Sequence, residues 1–327
     1  MELTLHMELG LLNGCLGAAL LAGSLALACN ASDERSSPPT VQANDATDAL
    51  QADDARDAAA ADTSLVDREP ETCESGTNHG PTMVEISTAT GYRYCIDSTE
   101  VTEAQYQEFL ATVSFAPGTE HARCSGNETY QPGVWFSSSN PQGGCNPLFW
   151  TPELTPNWPV SCVDWCDAYA YCKWAGKRLC GGIAGGEDAS PDNVDSSQWG
   201  YACSQGGVTR YPYGDEFSSS TCDGATFAGT EKFDQNCGCF IHSDVGSWTA
   251  CHGSMAPWDS IHDMSGSVAE WTDHCSGDAS VGIGCLARGG GMLDNSPDSL
   301  ACSNELGLTF YRSTRSDTGF RCCKDLD

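Results

Sequence analysis

Eighteen cysteines fall between residues 73 and 323 of this 327-residue chain, and no other feature restricts the fold as much. A count this high and even is either a disulfide framework or a set of metal ligands. Serial CxxC pairs, the spacing of a structural zinc site, are absent, and the seven histidines are scattered. The count therefore reads as cross-links formed in an oxidising compartment. Cys237-Gly-Cys239 and the adjacent Cys322 and Cys323 are the members whose partners are least evident.

That reading requires export, and the first 29 residues supply a route. Leu16 to Ala28 is an apolar run of small and aliphatic residues ending at Cys29, followed at once by Asn-Ala-Ser-Asp-Glu-Arg. It is too short and wrongly flanked for a lasting membrane span. A hydrophobic stretch with small residues before a cysteine resembles a bacterial lipoprotein signal, with Cys29 as the lipidated residue. An ordinary secretory signal cleaved nearby is the other reading. The opening MELTLHMELG carries no Lys or Arg, so the charged n-region is missing, and Met7 is a second candidate start. The expected location is the cell envelope, lipid-anchored at the outer membrane or cell surface, or else secreted.

Residues 30–71 hold eleven Asp and Glu against three Arg, a net charge of −8, with almost no aromatic or branched apolar residues. Such a segment cannot bury enough surface to offset its ordering entropy, so 30–72 reads as a disordered acidic tether. All nine Trp, ten Tyr and ten Phe lie in 73–327, which marks a single folded domain. The net charge of −30 over the chain repels nucleic acid and anionic lipid, leaving a membrane contact only through a lipid anchor.

Two helices are legible inside the domain. Glu100 to Val113 carries Thr102 and Gln105 at capping-box spacing, with Val101, Phe109, Leu110 and Val113 near helical period. Asp164 to Gly176 has Asp164 as cap and Gly176 as stop, with Lys173, Lys177 and Arg178 placed to complement the C-terminal dipole. Both read as amphipathic helices on one core. Beyond Arg178, glycine-punctuated short segments predict loops and brief strands.

Several stretches then line up in a fixed order: Ile96-Asp-Ser-Thr-Glu-Val-Thr102, Pro159-Val-Ser-Cys-Val-Asp-Trp165, and Ala170-Tyr-Cys-Lys-Trp-Ala-Gly-Lys-Arg-Leu179. Trp199-Gly-Tyr-Ala-Cys203, Tyr211-Pro-Tyr-Gly214, Asp263-Met-Ser-Gly-Ser-Val-Ala-Glu-Trp271, Arg288-Gly-Gly290 and Gly319-Phe-Arg-Cys322 follow. This order, over roughly residues 83–323, resembles the formylglycine-generating enzyme, or sulfatase-modifying factor, family. The resemblance implies an α+β, C-type-lectin-like single domain with little regular secondary structure. Active members oxidise a cysteine of unfolded sulfatases to formylglycine with copper held by two cysteines, while other members are non-catalytic.

Carried over residue by residue, the resemblance implies that Cys172 pairs with Cys322 and Cys203 with Cys302. Each pair would close a loop of about 100–150 residues. It also implies a structural calcium at Asp263, Gly266, Val268 and Glu270, an oxygen set that suits a hard cation. Ser267 and Ala269 depart from the family's usual Asn and Trp there. The other reading makes Asp263 a solvated turn residue and Glu270 a strand-edge carboxylate. A second family calcium site touches Asp223 and Gly224, with its remaining ligands unplaced.

Copper is where the resemblance breaks. The family's copper thiols sit after the RGGS turn, and here that segment, Gly291-Met-Leu-Asp-Asn-Ser-Pro-Asp-Ser-Leu-Ala301, contains no cysteine. Gly291 replaces the family serine and Asp294 stands about where the first thiol belongs. A carboxylate neither replaces a soft copper ligand nor forms a disulfide with substrate, so copper is not expected. Cys285 or Cys302 would have to be recruited to restore it. Asp294 and Asp298 read as an acid pair, as a cation site, or as a hydrated loop. Trp165, Trp174 and Trp271 read as core more than as a sugar platform. No GxSxG elbow, HExxH or P-loop is present.

The expected function is thus a non-catalytic module whose cleft, with Arg288, Gly291 and Asp294 as candidate lining residues, binds a peptide, protein or glycan. The alternative is a formylglycine-generating oxidase or a divergent oxidoreductase on the same scaffold.

Overall fold

The computed structural model describes residues 71–326 apart from 77–78, 117–120, 134–144, 146–149, 189–192, 225–232, 235–238, 278–282, 295, 304 and 311–313. Of 233–234, 239–240 and 305–310 it describes the backbone. Cys29, residues 30–70 of the tether and Cys237 lie outside the described residues. The strands are β1 (Met83–Ser87), β2 (Arg93–Asp97), β3 (Arg178–Leu179), β4 (Phe233–Asp234), β5 (Cys239–Phe240), β6 (Ala269–Ser276), β7 (Gly284–Arg288), β8 (Glu305–Phe310), β9 (Thr318–Gly319) and β10 (Cys322–Leu326). The α-helices are α1 (Glu103–Thr112), α2 (Trp165–Trp174) and α3 (Gln198–Cys203). All of these belong to one compact unit, Leu65–Asp327.

Both longer helices start on reciprocal capping boxes. Thr102 accepts from the Gln105 N–H at 3.3 Å while the Gln105 side chain accepts from the Thr102 N–H at 2.9 Å. Asp164 and Asp167 exchange the same pair of bonds at the start of α2, at 2.9 and 3.1 Å. Each box satisfies two N–H groups that the first turn leaves without helical partners. α2 stops where Gly176 turns left-handed at φ +74°.

The strands form two four-stranded sheets, β1-β2-β10-β3 and β8-β7-β6-β9, and a two-stranded ribbon, β4-β5. All pairings are antiparallel except β6 with β9. α1 and α2 pack an aromatic cluster of Tyr106, Phe109, Tyr171 and Phe320 together with Trp165 and Trp271. Tyr106 stacks on Tyr171 with ring centroids 5.6 Å apart, and Phe320 meets Tyr171 edge-on at 5.3 Å. Pairs of this kind add about 0.5–1.5 kcal/mol each beyond their area burial. A second cluster gathers Ile86, Tyr94, Ile96, Trp199 and Met264 around the Cys203–Cys302 bridge.

The short link between β9 and β10 passes from one four-stranded sheet to the other, and Arg321 on that link is fully buried. Its guanidinium donates to both oxygens of Glu270 on β6 and to the carbonyl of Asp97 on β2. One side chain therefore ties the two sheets together.

Lys177 and Arg178 do not serve the α2 dipole. Lys177 is buried and donates to Asp97 at 2.6 Å and to the Pro81 carbonyl, while Arg178 forks onto Asp325 and reaches Gln198. Desolvated or geometrically matched carboxylates outcompete a partial helix charge for the same cations.

Candidate functional site

The turn after β7 is built from close backbone approaches. Gly289 and Gly290 adopt φ +87° and +65°, and a Cβ on Gly290 would lie 2.5 Å from the Ser299 carbonyl oxygen. Gly291 is equally crowded, since a Cβ there would lie 2.7 Å from the Asp317 carbonyl oxygen and 2.9 Å from its Cβ. Nothing larger than glycine fits at 291 unless Asp317 moves, which gives the departure from serine a physical reason. Past the turn, Met292 donates its N–H to Ser267, and Asp294 folds back to accept the Gly291 N–H at 2.8 Å. Met292 and Leu293 pack on the Cys145–Cys162 disulfide.

Arg288 is fully buried, 3.5 Å from Asp188, so it faces the interior and not a cleft. Asp294 is half-buried, and burial pushes its carboxyl up, with the Gly291 N–H pulling it down and Asp317 adding to the rise. Asp298 is exposed and pairs with Arg210. The two acids thus serve different partners.

A polar cavity of about 370 Å³ opens beside this turn, lined by Asn127, Glu128, Gln131, Gly133, Asp164, Asp167 and Thr314. The N-terminus of α2 forms one wall, and Asn127 reaches Asp167 across it at 3.5 Å. Cys162, whose disulfide packs on Met292, links the turn to the cavity lining: its carbonyl accepts from Gly133 at 2.7 Å, and its N–H donates to the Arg315 carbonyl at 3.0 Å. Arg315 in turn forks onto Asp317, the residue packed against Gly291. Hydrogen bonding and ion pairing with a polar ligand are what this lining offers.

The sixteen cysteines whose side chains are described form eight disulfides. Cys302 is joined to Cys203, Cys285 to Cys275, and Cys172 to Cys322. Both cysteines flanking the turn are therefore half-cystines. Such density of cross-links belongs to a chain that matures in an oxidising, extracytoplasmic setting. Among the described residues, no helix is long and apolar enough to cross a membrane.

The residues that the family resemblance gives to calcium divide into two groups. Asp263 is buried at φ +62°, with Oδ2 accepting the Gly246 N–H and Oδ1 without a hydrogen-bond partner. Burial pushes its carboxyl up to about 6, opposed by the Gly246 bond and Arg321. An orphaned anionic oxygen fits a cation. Glu270 does not, because Trp199 Nε1 and Arg321 Nε share its Oε2, at 2.8 and 2.6 Å, and Arg321 Nη2 holds its Oε1 at 2.7 Å. Gly266 is pressed on the Asp223 carbonyl, which accepts the Ser267 N–H, and Val268 is fully buried. Among the described residues, no three His, Cys, Asp or Glu side chains are arranged to hold a metal ion.

Trp165 and Trp271 are core residues donating to the carbonyls of Thr272 and Val163. Trp174 is half-buried and stacks on His79. Sequence reasoning missed Arg321, Glu100 and the cavity. Arg321 and Glu100 each sit beside a core residue, Phe320 and Val101, and a charge embedded in apolar sequence was the available signal.

The model of the sulfatase-modifying factor enzyme 1-like domain matches residues 72–326. Among solved structures, CarF is similar at 19% identity, covering 72% of this chain and 87% of its own, with a TM-score of 0.43. PvdO from Pseudomonas aeruginosa is similar at 19% identity over 71% and 80%, with a TM-score of 0.42. Treponema denticola variable protein 1 is similar at 17% over 74% and 94%, also at 0.42. No curated protein matches the sequence. Because the match takes in the turn, the cavity and both four-stranded sheets, the chain belongs to the FGE-sulfatase family, the family of the sulfatase-modifying factor enzyme 1-like domain.

Proposed function

We propose that this chain is a non-catalytic binding module that takes an extended peptide in the cavity at the start of α2, with a cationic side chain preferred. The observation that carries the reading is the cavity itself: about 370 Å³, with the carboxylate of Glu128 among polar lining residues at the start of α2. Its volume is that of a small-ligand site, and its lining is acidic in a chain of net charge −30, which favours cations at long range. Asp164 and Asp167 are committed to their own capping box, so Glu128 is the lining carboxylate that meets the cation. Export, lipid anchoring at Cys29 and display on the acidic 30–72 segment are part of the same proposal, supported by the disulfides and the signal-like start.

Calorimetric titration with Arg- and Lys-containing peptides, and with acidic counterparts, tests it. Cationic peptides should bind, and Glu128→Gln should weaken them about tenfold, the worth of one charge-assisted hydrogen bond. Neutral oligosaccharides binding equally to wild type and Glu128→Gln would replace the peptide by a glycan. Aldehyde formation in a CxPxR peptide with Cu(I) under oxygen would overturn the non-catalytic reading.

A further inference from the structure

A second cavity, of about 270 Å³, opens between α1 and α2, and it shares no lining residue with the one at the start of α2. One wall is Phe109 and Val113 from α1 and its cap; the other is Cys166, Tyr169, Ala170 and Lys173, one stripe of α2. Tyr130 and Trp174 complete the lining. The gap exists because Ala170 ends at Cβ while Tyr169 and Lys173 beside it are long. Phe109 meets Tyr130 and Trp174 with ring centroids 5.3 and 5.5 Å apart, and the Tyr106 hydroxyl donates to the Tyr130 carbonyl at 2.7 Å. Cys166 is bridged to Cys124. Walls fixed by such contacts are preformed, so a ligand pays little ordering cost.

Lys173 is the only charged residue of this lining and the only exposed one. Helical side chains lean toward the N-terminus, so its stem lies over Tyr169 and Ala170 and carries the ammonium to the mouth. The next two cations are answered, Lys177 by Asp97 and Arg178 by Asp325, whereas among the described residues no carboxylate pairs with Lys173. Glu108, next to Phe109, is engaged by His79, and Glu187 by Arg123. Burial first, then Arg123 and, more weakly, Lys173 hold the His121 imidazole below its usual range against the pull of Glu187, which marks local positive charge.

We propose that this cavity binds a small aromatic carboxylate, with its ring against Phe109, Tyr130 and Trp174 and its carboxylate on the Lys173 ammonium. An apolar cavity of about 150 Å³ takes one benzene ring, so the larger volume suits a fused ring with a short acidic arm. Aromatic walls favour a flat ring through offset and edge-on contacts, and one convergent charge fixes its orientation. The net charge of −30 opposes an anion at long range. At about 0.15 M salt that field is screened beyond roughly 8 Å, and the contact with Lys173 decides.

The test titrates the purified chain by calorimetry with indole-3-acetate and with indole-3-acetamide, its neutral counterpart, at about 0.15 M salt. Wild type should bind the acetate about fivefold tighter than the acetamide, the worth of one partly screened ion pair. Lys173→Met, at an exposed position, should bind both ligands with the acetamide's affinity. Ala170→Leu, which fills the cavity, should weaken both at least about tenfold, and Val113→Phe fills it from the other wall if the leucine variant does not fold. Equal binding of the two ligands by the wild type, or a preference retained in Lys173→Met, would overturn the pairing with Lys173. Unchanged affinity in a folded cavity-filling variant, or no binding of either ligand by the wild type, would overturn the site.

Discussion

Changing Cys203 and Cys302 together to alanine tests whether Cys302, the cysteine that follows the turn after β7, is part of the scaffold. The bridge closes a loop of 99 residues, for which the chain-entropy relation gives about 4.7 kcal/mol at 25 °C. That figure is an upper bound because Cys180–Cys323 already brings the two ends closer: the path through it is only about 44 residues, giving about 4 kcal/mol. The logarithm makes the difference small. Both cysteines are buried in the second core cluster, so the lost sulfur contacts act in the same direction. Alanine avoids burying a hydroxyl without a partner. Urea unfolding without reductant is the assay, and at an m-value of about 2–3 kcal/mol/M the midpoint should fall by roughly 1.5–2 M. A loss under about 1 kcal/mol, together with a Cys302 thiol that alkylates in the denatured, unreduced wild type, would refute the reasoning. It would also return a candidate thiol to the turn.

Three further outcomes are expected. Gly291→Ser, which restores the family residue, should lower stability by about 1–3 kcal/mol because its Cβ meets Asp317, and thermal melting reads the loss. Arg321→Met should be destabilised by about 3–5 kcal/mol in urea by leaving Glu270 buried and unpaired, while Arg178→Met, whose partner Asp325 is half exposed, should lose under about 1 kcal/mol. Glu103 is pushed up to about 7 by burial, against the pull of Thr155 and Thr151, from an ordinary value of 4.5. Its neutral form is favoured in the fold, so that contribution is complete below pH 4.5 and is lost as pH rises through 7. Urea midpoints across that window should fall for the wild type, and Glu103→Gln should flatten the slope.

Local chemistry was what the sequence exposed best. Thr102 with Gln105, and Asp164 as a cap, are legible because a capping box is complete within four residues. The ordered motifs from Ile96 to Cys322 placed the chain in its family and its α+β class. Lys177 and Arg178 show where such reading ends: beside a helix terminus they look like dipole partners, but carboxylates 80 and 147 residues away take them. Glu270 shows the same limit at the candidate metal site. Its motif position suggests an oxygen ligand, and an arginine 51 residues further along decides otherwise.

By itself, then, the sequence determined the cross-linked character of the domain, its two main helices, its family and the missing thiols of the turn, since each depends on composition or on neighbours along the chain. Tertiary structure alone decided that Cys285 is a half-cystine with Cys275, that Gly291 is hemmed in by Asp317, and that Arg321 is committed to Glu270. Those outcomes depend on which distant groups share a dry interior, where every charge and lone pair needs a partner, and no spacing along the chain encodes that.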